Sequence, residues 1–107
     1  MVLDVREYLD SAGRSPFAKW LRELNVEAAA KVATALERIA DGNMSNVRGV
    51  GDSVLEYKID FGPGYRIYFG RDGKQLVILL AGGTKKRQHQ DIRQAKVNWE
   101  DYRARKK

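Results

Sequence analysis

The chain has 107 residues, 43% hydrophobic and 32% charged, enough for one domain with one core and no separate catalytic domain. It contains no cysteine, which excludes disulfides and thiolate metal sites, and its longest apolar run, Leu76 to Ala81, is far too short to span a bilayer. Residues 1–84 carry eleven bases and eleven acids, whereas residues 85–107 carry nine bases and three acids, so the whole net charge of +6 lies in the last 23 residues. That asymmetry points to a polyanionic partner (nucleic acid, an anionic membrane surface or an acidic protein) or to a solvated basic tail. The N-terminal Met1-Val2-Leu3-Asp4 lacks the basic-then-apolar design of a secretion signal, and the expectation is a cytoplasmic protein.

In chain order, Val2 to Tyr8 reads as a short strand. Ser15-Pro16 starts a helix, because Ser caps free N–H groups and Pro at the first helical position loses no hydrogen bond. Phe17, Trp20, Leu21 and Leu24 then share one face. Asn25 caps a second helix over Val26 to Ala40, stopped at Asp41-Gly42-Asn43. From Leu55 the period changes to two: Leu55, Tyr57, Ile59 and Phe61 alternate with Glu56, Lys58 and Asp60. Gly62-Pro63-Gly64 turns into a strand with Tyr65, Ile67 and Phe69 on one side, and Asp72-Gly73 turns into the apolar Leu76 to Ala81, which Gly82-Gly83 is expected to end. A basic helix from about Gln88 carries Ile92, Ala95, Trp99 and Tyr102 on one stripe. The resulting β-α-α-β-β-β-α order is one α+β domain, residues 1–107, with helices packed on one face of a small antiparallel-type sheet.

If Tyr57 and Ile59 face the helices, then Glu56, Lys58 and Asp60 face away, joined by Arg66 and Tyr68 on the next strand. Lys85, Lys86 and Arg87 arrive at the rim. Cations that hold phosphate beside an aromatic that stacks on a base are what a single-stranded RNA groove needs. The same residues are equally the wet face of a half-buried sheet. A hairpin arginine flanked by apolar residues calls for a fixed anionic partner, here Glu56 or Asp60. His89 is the only histidine, which excludes a histidine metal cluster, and no metal or other cofactor is expected. Gly82-Gly83-Thr84-Lys85-Lys86 lacks the spacing of a phosphate-binding loop. Trp20 and Trp99 read as core.

The run Glu56-Tyr57-Lys58-Ile59-Asp60-Phe61-Gly62-Pro63-Gly64-Tyr65-Arg66-Ile67-Tyr68-Phe69 closely resembles a signature of RelE/HigB toxins, in the phage-derived branch of addiction module killer proteins. Leu79-Leu80-Ala81-Gly82-Gly83-Thr84-Lys85, then Gln88, Asp91-Ile92 and Ala95, resembles that branch's second signature, and the likeness spans about residues 1–100. The resemblance implies a type II toxin that enters the ribosome, cuts messenger RNA without a metal, and is neutralised by a cognate helix-turn-helix antitoxin. It implies Arg66 as the group stabilising phosphate charge, Lys58 as a phosphate ligand, and Lys85 and Lys86 as basic rim residues. Asp60 stands where RelE has a second lysine, so Glu56 or Asp60 is a substitute base. Ile92 stands where RelE has a late tyrosine, which leaves His89 as the nearest acid. Tyr68, Arg87, Arg93 and Lys96 are then expected to contact RNA, with the bases of residues 103–107 adding distributed contacts. Arg66→Ala is expected to leave the fold intact, as an exposed-face change. A ParE-like gyrase inhibitor without catalysis and an inactive nucleic-acid-binding remnant are the alternatives.

Overall fold

The computed structural model describes residues 2–106; Met1 and Lys107, the latter one of the nine tail bases, lie outside them. The elements are β1 (Asp4–Glu7), α1 (Pro16–Arg22), α2 (Val26–Ala40), β2 (Val47–Gly51), β3 (Val54–Ile59), β4 (Tyr65–Asp72), β5 (Leu76–Thr84), a 3₁₀ turn (Lys85–Arg87) and α3 (Gln88–Arg105). The α+β expectation holds. Both helix starts form as their caps dictate: Ser15 Oγ accepts the Ala18 N–H at 3.0 Å and Asn25 Oδ1 that of Ala28 at 2.8 Å. Gly42, at φ +80°, follows the end of α2 in the left-handed region that a residue with a Cβ avoids.

The five strands form one sheet in the order β1-β5-β4-β3-β2. Two features depart from the sequence expectation. β1 pairs parallel with β5, so the sheet is mixed rather than all antiparallel. An additional edge strand, β2, pairs with β3. Val47-Arg48-Gly49-Val50-Gly51 has too few apolar side chains to announce a strand. Its hairpin closes through Asp52 and Ser53, both at positive φ (55° and 65°), the handedness that two-residue hairpin loops require.

Helices cover both faces, which corrects the expectation of helices on one face only. Phe17, Val32 and Ile39 from α1 and α2 pack on Tyr57, Ile67, Phe69 and Leu79. On the opposite face Ala95 and Trp99 of α3 pack on Val54, Tyr68, Ile78 and Leu80. Trp99 is core as expected, whereas Trp20 is only half-buried, with its ring against Phe17 and Tyr65.

Gly82-Gly83 does not end β5, which runs on to Thr84. Leu80 is the extra residue of a bulge between the Tyr68–Ala81 and Phe69–Leu79 pairs, and Asn98 Nδ2 donates to its carbonyl at 2.9 Å. Beyond the bulge, Gly82 faces α1 and Gly83 faces α3. A Cβ on Gly82 would enter the Trp20 ring, and one on Gly83 would enter the Asp91 carboxylate. The glycine pair is where the sheet is pinched between two helices.

The far end of α3 is fastened by acids. Tyr8 donates to Asp101 at 2.6 Å, Tyr102 donates to Asp72 at 2.7 Å, Arg105 pairs with Asp101, Lys106 pairs with Asp72, and Arg103 lies 5.7 Å from the Trp99 ring. The tail bases are therefore partly structural, and deleting residues 103–107 would loosen α3 besides removing charge. Among the described residues no helix is long and apolar enough to cross a membrane.

Gly82→Ala should destabilise the domain by about 1–3 kcal/mol, because the Trp20 ring has to move. Gly49→Ala, where a Cβ meets nothing within 4 Å, should stay within about 0.5 kcal/mol of wild type. Urea unfolding of the two variants measures the contrast.

Candidate functional site

Strand register sets a small grid of polar side chains on the α3 face of the sheet. Arg48 of β2 lies opposite Glu56 of β3, which lies opposite Tyr68 of β4. One step along, Lys58 lies opposite Arg66, which lies opposite Gly83 with Asp91 above it. Because α3 crosses β4 and β5, the β2–β3 end of this face stays open as a cleft of about 610 Å³. Arg48, Glu56, Lys58, Asp60, Arg66 and Gln88 line it, together with the Ser45-Asn46-Val47 segment.

Glu56 is 1% exposed and gathers two hydrogen-bond donors and a neighbouring cation from three elements. Arg48 Nε donates to it at 2.8 Å from β2, Gln88 Nε2 at 2.9 Å from α3, and Arg66 Nε lies 3.8 Å away on β4. Burial pushes its carboxyl upward, but the hydrogen bonds from Arg48 and Gln88 and the charge of Arg48 outweigh it and leave Glu56 below the usual carboxylate range. A carboxylate so held keeps its charge and makes a poor proton acceptor. Glu56 is the fixed anionic partner that Arg66 called for, not a free base.

Arg66 is 5% exposed, with Nη1 3.5 Å from the Gly64 carbonyl and no hydrogen-bond partner for Nε. The expectation that Arg66→Ala leaves the fold intact is corrected: the change removes a buried cation from beside a buried carboxylate, and breaking such a pair costs about 3–5 kcal/mol when no other partner remains. Arg48 and Gln88 do remain on Glu56, which puts the loss at the lower end.

The other sequence-derived candidates divide. Lys58 and Asp60 are exposed and line the cleft. Lys85 is exposed beside the β3–β4 turn, where its backbone N–H donates to the Gly64 carbonyl at 2.9 Å, and it does not line the cleft. Lys86 and Arg87 continue the exposed turn beyond it, with Arg87 Nε donating to Gln90. His89 is exposed and is not among the residues lining the cleft. Arg93 is exposed on α3, and Lys96 pairs with Asp52 in the β2–β3 turn at 3.7 Å; neither lines the cleft. Tyr68 is fully buried under α3, so its ring cannot stack on a base, which corrects its reading as a surface contact. Burial, then the charge of Glu56, pushes its hydroxyl upward. Arg48 and Gln88 were missed. Arg48 lies on the strand that composition hid, and Gln88 reaches the cleft only because α3 folds back across the sheet. Among the described residues no three His, Asp or Glu side chains gather as a metal site.

The profile of the family described as "Phage derived protein Gp49-like (DUF891)" matches residues 19–100. The chain is 43% identical over 82 residues to an uncharacterized protein of Haemophilus influenzae, covering 76% of this chain and 83% of that one. In structure it is similar to a double mutant of the E. coli toxin RelE in the free state, with a TM-score of 0.61 at 15% identity, over 87% of this chain and 97% of the other.

Two carboxyls of this site should affect stability with opposite sign. Burial raises the Asp91 carboxyl, opposed by Arg87, and its buried Oδ2 has no hydrogen-bond partner. Its contribution to stability is therefore full below the unfolded carboxyl value and lost as pH rises through the folded one. Asp91→Asn should match wild type in acid and exceed it at neutral pH. The lowered Glu56 contributes above its unfolded value and loses that as pH falls through the folded one. Glu56→Gln should cost stability at neutral pH and progressively less in acid. Thermal unfolding across that range reads both.

Proposed function

The chain belongs to the phage-derived Gp49-like family of the RelE superfamily, and we propose that it is the toxin of a toxin–antitoxin pair, acting as a ribosome-dependent endoribonuclease that cuts messenger RNA. One observation carries the reading: a carboxylate-backed arginine, Arg66, faces an open cleft beside Lys58 and Asp60, which join no ion pair among the described residues. An open polar cleft of about 610 Å³ suits a nucleic-acid backbone.

The reaction that suits these groups is attack of a ribose 2′-hydroxyl on the adjacent phosphorus, which breaks the bond to the 5′-oxygen and leaves a cyclic phosphate. Asp60, the carboxylate without cationic partners, takes the proton from the 2′-hydroxyl. Arg66 meets the charge that builds on the phosphorane oxygens, with its guanidinium set in place beforehand by Glu56. Lys58 holds the scissile phosphate, and Lys85 and Lys86 on the exposed turn after β5 attract the neighbouring ones. The departing 5′-oxygen takes its proton from solvent at the cleft mouth, and His89, outside the cleft, has no part. A cognate antitoxin of the helix-turn-helix type then protects the host, and a cytoplasmic site of action follows from the substrate.

Induction of the chain without antitoxin should arrest translation and leave cuts within translated messages, mapped by primer extension. Arg66→Lys keeps the charge and the fold but loses the planar fork, and should lower cleavage about 100-fold. Asp60→Asn should lower it by a similar factor. Intact messages alongside failed DNA supercoiling would instead mark a gyrase inhibitor.

A further inference from the structure

Asn46, Lys58 and Asp60 also line a second groove, of about 270 Å³, which lies on the other side of β3, between that strand and one flank of α2. Its far wall is Lys31, Thr34, Ala35 and Arg38, which recur at the helical interval that puts them on one face. Lys31 and Arg38 are seven residues apart, about 10 Å along the helix. Both are exposed, and neither joins an ion pair among the described residues. Phe61, half-buried at the groove's edge, has the Lys31 ammonium 5.2 Å from its ring centre.

We propose that this groove is a second RNA subsite, which binds the strand beyond the scissile phosphate. The inference rests on the ribonuclease reading and adds the path that the RNA takes. Lys31 and Arg38 meet backbone phosphates, Phe61 receives a base on the ring face that the Lys31 ammonium leaves when it turns to phosphate, and Asn46 and Thr34 supply neutral hydrogen-bonding groups. A polynucleotide fits better than an acidic peptide for two reasons. The groove shares Asn46, Lys58 and Asp60 with the cleft that holds Arg66, and it sets two cations and an aromatic ring in one lining. The only carboxylate in its lining is Asp60, at the junction, where the reaction uses it. The tail offers less for this purpose: Lys96, Arg105 and Lys106 already pair with acids of the fold.

The test uses the full chain, its Lys31→Gln/Arg38→Gln double variant, and 2′-O-methyl RNA, which binds without being cut. Fluorescence anisotropy is measured over a salt series with a trinucleotide, which fills only the cleft, and with a nonanucleotide, which reaches α2. Both substitutions lie on the exposed face of a helix, so the fold is retained, and an unchanged unfolding midpoint confirms it. The variant should bind the nonanucleotide about tenfold more weakly, with the slope of log affinity against log salt reduced by ~1.4, that is ~0.7 for each lost phosphate contact. Trinucleotide binding should be unchanged. If the wild type shows a salt slope with the nonanucleotide that the variant keeps, the subsite falls and the ribonuclease reading stands. If the wild type binds neither RNA, the subsite falls, and the induction assay alone decides the ribosome-dependent reading. Loss of binding to the purified antitoxin with nonanucleotide binding intact would make the groove a protein-docking surface and overturn the proposal.

Discussion

A carboxylate buried in a sheet face is expensive, and Glu56 is tolerable because two elements bring hydrogen-bond donors to it and a third brings a cation. Moving such a group out of water costs several kcal/mol unless its oxygens are satisfied. Arg48 comes from the edge strand β2, Arg66 from the central strand β4, and Gln88 from the first turn of α3. Each is held in return. The edge strand gains an anchor that its glycine-rich backbone lacks, the helix is fixed where it starts to cross the sheet, and an arginine is held with its stem buried at the wall of the cleft. The polar cleft and the local packing are one arrangement.

The α3 face is divided by that crossing. Over β4 and β5 the helix seals Tyr68, Ile78 and Leu80 against Trp99, each worth about 1.5–3 kcal/mol of burial. Past Glu56, at the far end of β3, the helix no longer reaches, and Lys58 and Asp60 stand in solvent. Arg66 sits on the border, with its stem in the dry half. Such a border suits electrostatic work, since a cation with a low-dielectric wall behind it acts more strongly on a phosphate than one surrounded by water.

What the sequence disclosed was local. Ser15, Asn25 and Gly42 act within a turn of their own positions, and the alternation from Leu55 to Phe69 needs no partner to be read. Arg66 and Lys58 were legible because they sit inside a recognisable run. The burial of Glu56 and Tyr68 was not, since it depends on α3 folding back from over 20 residues downstream. β2 was hidden because its pairing is carried by backbone and a turn at positive φ rather than by apolar side chains. Gly82-Gly83 misled for a related reason: glycine reads as a breaker in one dimension, whereas here its missing side chains admit Trp20 and Asp91 from opposite sides. Lys31 and Arg38 looked like the ordinary wet face of an amphipathic helix, and only the neighbouring strand makes them a wall.

The parallel pairing of β1 with β5 bears on how the chain is made. Asp4 to Glu7 match Leu76 to Leu79, so the first strand synthesised has to wait for the last before it has a place in the sheet. The β2–β5 meander closes through short turns and α1–α2 closes on itself, whereas β1 finds its partner 72 residues downstream, a slow kind of contact. Until it docks, β5 presents an uncovered edge rich in Val, Ile and Leu, the kind of edge that pairs with other chains. Newly made molecules pass through a stage in which self-association competes with completion of the sheet, and early capture by a binding partner would relieve it.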